Sequence, residues 1–179
     1  MYPTGSVWSR LGPGWALSLW LGLGLVAPAL AAPPGASEEA VKAAYVYNFT
    51  KFTEWPDSAF TADDALVICT DAEGELATAM HSLHGRKAVG RSVQVRKLPE
   101  QGLEGCQVAL LDSRDNAERC DTGLPVLTIT TFNQPGAVMR LFIQGSKLRF
   151  AIDLGAARRG SIKLSSKLLS VAAEVVDTD

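Results

Sequence analysis

The sequence predicts an α/β fold, with a mostly parallel sheet flanked by helices and finished by a C-terminal antiparallel hairpin. Three observations carry this. The short continuous apolar runs at residues 66–69, 108–111 and 126–129 have the pattern of strands covered on both faces. Amphipathic helical segments flank and separate them, which is what parallel connections require. The last two strands alternate apolar with polar residues around a two-residue, glycine-first turn, Gly145-Ser146.

Residues 1–31 read as a cleaved signal peptide and stand outside the fold. Arg10 is the only charge before Glu38, Trp15 to Leu25 is an apolar run, and Ala29-Leu30-Ala31 places small residues where a signal peptidase cuts. The run is short of the roughly 20 residues a membrane span needs. The reading is of an exported, periplasmic protein, with a short leader at 32–37 and one domain at 38–179. The segment takes one arginine and no acid with it, so the net charge moves from −2 to about −3. That balance argues against nucleic acid as a partner. Trp8, Trp15 and Trp20 leave with the segment, and Trp55 is the one tryptophan beyond it.

The first helix starts at Ser37, a natural N-cap, with Glu38 and Glu39 at the positive end of the helix dipole. Val41, Ala44, Tyr45, Asn48, Phe49 and Phe52 recur at steps of three and four and form its expected buried stripe. Asn48, being on that stripe, is expected to hydrogen-bond a neighbouring element. Pro56 stops the helix and pushes Trp55 towards an extended conformation. A strand at 66–69 and a helix through Glu75, Leu76, Ala79, Met80 and Leu83 follow. Ser92 to Arg96 alternates, with Val93 and Val95 inward, before the strands at 108–111 and 126–129. In the hairpin, Met139, Leu141 and Ile143 alternate with Arg140 and Phe142, and Leu148, Phe150 and Ile152 with Arg149 and Ala151. Asp153 caps a short helix that Gly160 closes, with Arg158 and Arg159 at its negative end. Ser165 or Ser166 opens a last helix carrying Leu168, Leu169, Ala172 and Val175.

Three cysteines in an oxidising compartment imply one bridge and one remainder. Cys69 ends one buried strand and Cys106 precedes another, and neighbouring strands bring such ends within reach. Cys120 lies in the polar stretch Asp115 to Gly123 and is expected to be exposed. The spacings match no zinc pattern, and His81 and His84 have no carboxylate or cysteine beside them in sequence. The segment Gly85-Arg86-Lys87-Ala88-Val89-Gly90-Arg91-Ser92 imitates a phosphate loop. Arginine replaces its lysine, though, and the helix–loop–strand order reverses the strand–loop–helix that a phosphate cradle needs. It stays a basic loop able to touch an anion. No GxSxG elbow or HExxH helix occurs, so no catalytic residue, metal or cofactor is assigned.

The order of residues in KAAYVYNFTKFTEWP (42–56) resembles the opening signature of the YfiR family of periplasmic repressors. The resemblance continues through LHGRKAVGRSVQV (83–95), Gly105-Cys106-Gln107-Val108, the VLTI strand, Leu148 to Asp153, and LGAARRGSIKLSSKLLSVA (154–172). It implies a Rossmann-like sheet, a homodimer, and a family disulfide at Cys69 and Cys106; the type member's second bridge has no counterpart after Cys120. It also implies a non-enzymatic regulator that represses the sensor domain of an inner-membrane diguanylate cyclase, lowering cyclic di-GMP and biofilm formation. Phe150, Ile152, Leu168 and Leu169 are its candidate partner contacts. Arg158, Arg159 and Lys163 are the candidate contacts for a cell-wall fragment or another anionic ligand. The alternative reading is a periplasmic small-ligand sensor, for a cell-wall fragment or nucleotide, acting on another receptor. A thiol–disulfide enzyme using Cys120 is a third.

Overall fold

In the computed structural model, which describes residue 35, residues 37–60 and residues 65–178, the first element is α1 (Glu38–Lys51). The expected signal segment and most of the leader lie outside the described residues. Ser37 caps α1 as expected, its hydroxyl accepting the Ala40 N–H at 3.2 Å. The buried line is Ala43, Val46, Phe49 and Thr50, whereas Ala44 and Asn48 are exposed. The expected stripe is therefore rotated, and Asn48 needs no buried partner. Residues 43–47 are apolar or aromatic most of the way round the helix, so spacing alone does not fix which side docks.

Beyond α1 the chain forms β1 (Thr53–Glu54), β2 (Leu66–Thr70), α2 (Gly74–His81), β3 (Lys87–Ala88) and β4 (Arg91–Lys97). Next come β5 (Val108–Leu111), a 3-10 segment at Arg114–Cys120, β6 (Leu127–Thr130) and the hairpin strands β7 (Met139–Gln144) and β8 (Lys147–Asp153). The chain closes with α3 (Leu154–Arg159), β9 (Lys163–Leu164), α4 (Ser166–Val171) and β10 (Glu174–Val176). Eight strands make one sheet in the order β10-β8-β7-β6-β5-β2-β4-β3, and β1 pairs with β9 in a separate ribbon. The sheet is mixed rather than mostly parallel. The strands from β7 through β4 run parallel, β7–β8 and β3–β4 are antiparallel, and β10 returns parallel to β8. The correction comes from the two antiparallel pairs, each closed by a two-residue turn that no parallel connection can use. At Gly145-Ser146 the glycine alone has positive φ (63°), as a type II′ turn requires.

The last helix ends sooner than expected. Val175 belongs not to α4 but to β10, because the Ala173 N–H bonds the Phe150 carbonyl at 2.9 Å and draws the chain onto the edge of β8. The two faces of the sheet carry different cores. Leu66, Ile68, Val108, Leu110 and Phe150 share one with the buried residues of the helices. Val67, Cys69, Ala109 and Leu111 share the other with Leu103, Cys106 and Cys120 from the connections.

Gly160 ends α3, but for another reason than a left-handed backbone. Its φ is −80°, and a Cβ there would stand 2.8 Å from the Leu124 carbonyl oxygen. The left-handed residue is Ser161 (φ 56°). Its N–H reaches the Arg158 carbonyl at 2.9 Å and the Ile162 N–H reaches that of Ala157 at 3.0 Å, a Schellman closure. Ser161→Gly should therefore raise stability by about 1 kcal/mol, while Gly160→Ala should lower it. Urea midpoints check this, and equal signs for the two changes would refute the assignment.

Candidate functional site

The connection from β4 to β5 has no helix to cover the second face of the sheet. A disulfide does that work: Cys69 of β2 is joined to Cys106 in the loop, with Cα atoms 5.8 Å apart. Both half-cystines are buried, as are Leu98 and Leu103 of the loop. The pairing agrees with the sequence reading.

Next to Cys106, Gln107 ties together segments distant in the chain. Its side-chain oxygen accepts the Val67 N–H at 2.9 Å, and its amide nitrogen donates to the Ala59 carbonyl at 2.7 Å. Its own carbonyl accepts the Trp55 indole N–H at 3.0 Å and the Leu127 N–H at 2.9 Å. A buried amide is retained here because all of its polar atoms are satisfied. Gln107 was not singled out from sequence, although a lone polar residue heading an apolar strand is the signal that could have found it. A cleft of about 560 Å³ opens beside it, with Val67, Leu103 and Val126 as apolar walls and Gln94, Arg96 and Glu104 as polar ones. Arg96 donates to Gln94 Oε1 at 2.6 Å.

The expected ligand residues do not converge. Arg158 binds Asp177, its Nη1 donating to Oδ2 at 2.9 Å, and this pairing holds the Asp177 carboxyl below the usual range. Arg159 donates to Asp121 Oδ1 at 3.1 Å and to the Thr178 carbonyl at 3.2 Å. Lys163 stands on β9 opposite Glu54. Both arginines occupy the last turn of α3, where they also complement its dipole.

The expected partner contacts need correcting as surface residues. Phe150, Ile152 and Leu168 are buried and Leu169 is half-buried against the same core. Phe150 packs with Phe49 (ring centroids 4.9 Å apart) and Tyr45, so α1 covers it. The large apolar side chains left exposed nearby are Ile143, Val171, Val175 and Val176, with Val171 the most open at 62 %.

Cys120 is buried, not exposed. The polar 3-10 segment turns its last residue under β6, where the Thr128 hydroxyl meets its carbonyl at 3.4 Å. Burial pushes its thiol up to about 11, and the Asp121 and Asp71 carboxylates push the same way. Such a thiol has almost no thiolate at neutral pH and is a poor nucleophile. Among the described residues no group of three histidine, cysteine or carboxylate side chains gathers as a metal site. His84 instead accepts the Val95 N–H on Nδ1 at 3.3 Å. The basic loop forms the β3–β4 hairpin, turning at Val89-Gly90.

These features define a mixed α/β domain with a disulfide staple, whose polar side chains mainly hold connections and the C-terminal tail in place. The family model described as YfiR/HmsC-like matches residues 39–173, and the chain belongs to that family. No curated protein matches it significantly. Among the described residues no helix is long and apolar enough to cross a membrane.

Proposed function

We propose that this chain is an exported, non-enzymatic regulator that binds the extracytoplasmic sensor domain of an inner-membrane diguanylate cyclase and holds that enzyme in its inactive arrangement. Membership of the YfiR/HmsC-like family over residues 39–173 is the observation that carries the reading. Binding of this kind shifts the receptor only by the difference in its affinity for the inactive and active states. A homodimer would present two such contacts to a dimeric receptor. Dropping out of the inactive complex would raise cyclic di-GMP and favour biofilm formation.

The test is cellular cyclic di-GMP in the source bacterium with the gene deleted, then restored with and without residues 1–31. Deletion should raise the nucleotide, and only the form carrying the export segment should bring it down again. An unchanged level on deletion would move the assignment to another receptor. Restoration by the form without the segment would refute action outside the inner membrane.

A further inference from the structure

We propose that the β3–β4 hairpin and the end of α1 form a docking surface for an anionic phospholipid bilayer, with Val89 as its inserting tip and Lys51, Arg86 and Lys87 as its headgroup contacts. The first observation is the turn. Lys87 pairs with Ser92 and Ala88 with Arg91, leaving Val89-Gly90 as a two-residue loop. Both have positive φ, 47° and 79°, as in a type I′ turn. Asparagine, aspartate and glycine suit that position, and a β-branched residue is a genuine outlier there. Burial does not account for the choice, since Val89 remains 46 % exposed. A strained apolar residue held outward at a loop tip implies a contact outside the molecule.

The second observation is charge. The Tyr47 hydroxyl donates to the Lys87 carbonyl at 2.8 Å and pins α1 to the hairpin. The Lys51 ammonium lies 4.1 Å from the centre of the Tyr47 ring and the Arg86 guanidinium 5.3 Å from it. One tyrosine thus gathers two cations at the root of the hairpin, and Lys87 stands two residues from its tip. No carboxylate among the described residues forms an ion pair with Lys51, Arg86 or Lys87. This basic patch belongs to a chain of net charge −2.

An acidic protein surface would satisfy the cations but has no need of an exposed valine. An apolar tip on a hairpin whose root carries three cations and a tyrosine fits the boundary between anionic headgroups and acyl chains. The biological setting rests on the exported, membrane-apposed reading above, whereas the binding itself does not.

The test is co-sedimentation of the exported protein with vesicles of phosphatidylethanolamine and phosphatidylglycerol, against vesicles of phosphatidylcholine alone. Binding should require phosphatidylglycerol and fall as salt shortens the Debye length from about 10 Å to about 3 Å. Arg86→Gln and Lys87→Gln should each weaken it about fivefold, and Lys167→Gln on α4 should leave it unchanged. Val89→Asn should weaken binding while raising the thermal midpoint, because asparagine suits the turn. Those opposite signs separate a surface role from a folding role. Absence of phosphatidylglycerol dependence, or wild-type binding by Val89→Asn and Arg86→Gln, would overturn the proposal. So would loss of binding to an isolated sensor domain with vesicle binding intact, which would assign the hairpin to a protein partner. A cyclic di-GMP level that ignores gene deletion would remove the cyclase from the regulatory reading and leave vesicle binding untouched, so the two failures are distinguishable.

Discussion

Cys69→Ala, Cys106→Ala and the double replacement should each lower stability by about 4 kcal/mol, with the double little worse than either single change. The bridge spans 37 residues of chain. Closing a loop of that size removes about 4 kcal/mol of chain entropy from the unfolded ensemble, and losing either sulfur releases all of it. Against the 5–15 kcal/mol that typically separates folded from unfolded domains, this is a large share. The effect has a location. Cys106 anchors the loop that carries Leu103 over the second face, and its neighbour Gln107 holds Trp55 through the indole N–H. Urea unfolding followed by Trp55 fluorescence is therefore the measurement, made with and without reductant. Reduction of the wild type should bring its midpoint to that of the variants. A thiol count in denaturant should give one free group before reduction, from Cys120, and three after. A midpoint indifferent to reductant, or single replacements whose effects add in the double, would refute the cross-link account.

The sequence was legible where one strand or one turn decided the outcome. The short runs became β2, β5 and β6, because four or five residues without a charge, their threonines included, are buried along their whole length between the two cores. The glycine-first turn placed Gln144 opposite Lys147 and set the register of the whole hairpin. Asp153, Gly160 and Ser165 marked helix ends that the structure keeps. What escaped depends on contacts distant in sequence. Val175 continues the helical spacing of Leu168, Leu169 and Ala172, and only the open edge of β8 makes it a strand. The partners of Arg159 and Arg158, Asp121 and Asp177, lie 38 and 19 residues away, so a basic cluster in sequence became two separate ion pairs. Cys120 sits among polar neighbours, yet the 3-10 segment turns it inward. Lys51 and Arg86, far apart in the chain, meet only across the ring of Tyr47.

Asp153→Ala should cost about 2–3 kcal/mol and free the C-terminal strand. The carboxylate ends β8 and serves two elements at once. Its Oδ1 accepts the N–H groups of Gly155 (2.9 Å) and Ala156 (3.1 Å), capping α3, and the N–H of Thr178 at 3.3 Å. Its Oδ2 accepts the Thr178 hydroxyl. Loss of a cap is worth about 1–2 kcal/mol, and the charged hydrogen bonds to Thr178 add to that. β10 has only three ladder positions on β8, so without this clasp its amides should exchange quickly while those of β6 stay protected. The same carboxylate gives an acid signature. Burial pushes its pKa up, but the hydrogen bonds from the Thr178 hydroxyl and from the Ala156, Thr178 and Gly155 N–H groups outweigh that and hold it below the ordinary value. A depressed folded pKa contributes stability that is fully present above the unfolded value, about 4, and is lost as pH falls through the folded one. The stability gap between wild type and Asp153→Asn should therefore narrow in acid, and a gap as wide at pH about 3 as at neutrality would count against the role. Gly155→Ala separates the clasp from the cap. Its Cβ would stand 1.6 Å from the Thr178 carbonyl oxygen, so the tail must move while the cap bonds to Asp153 remain. That variant should show the fast exchange of β10 and keep only the part of the acid sensitivity that the cap bonds from Gly155 and Ala156 supply, whereas Asp153→Asn loses all of it.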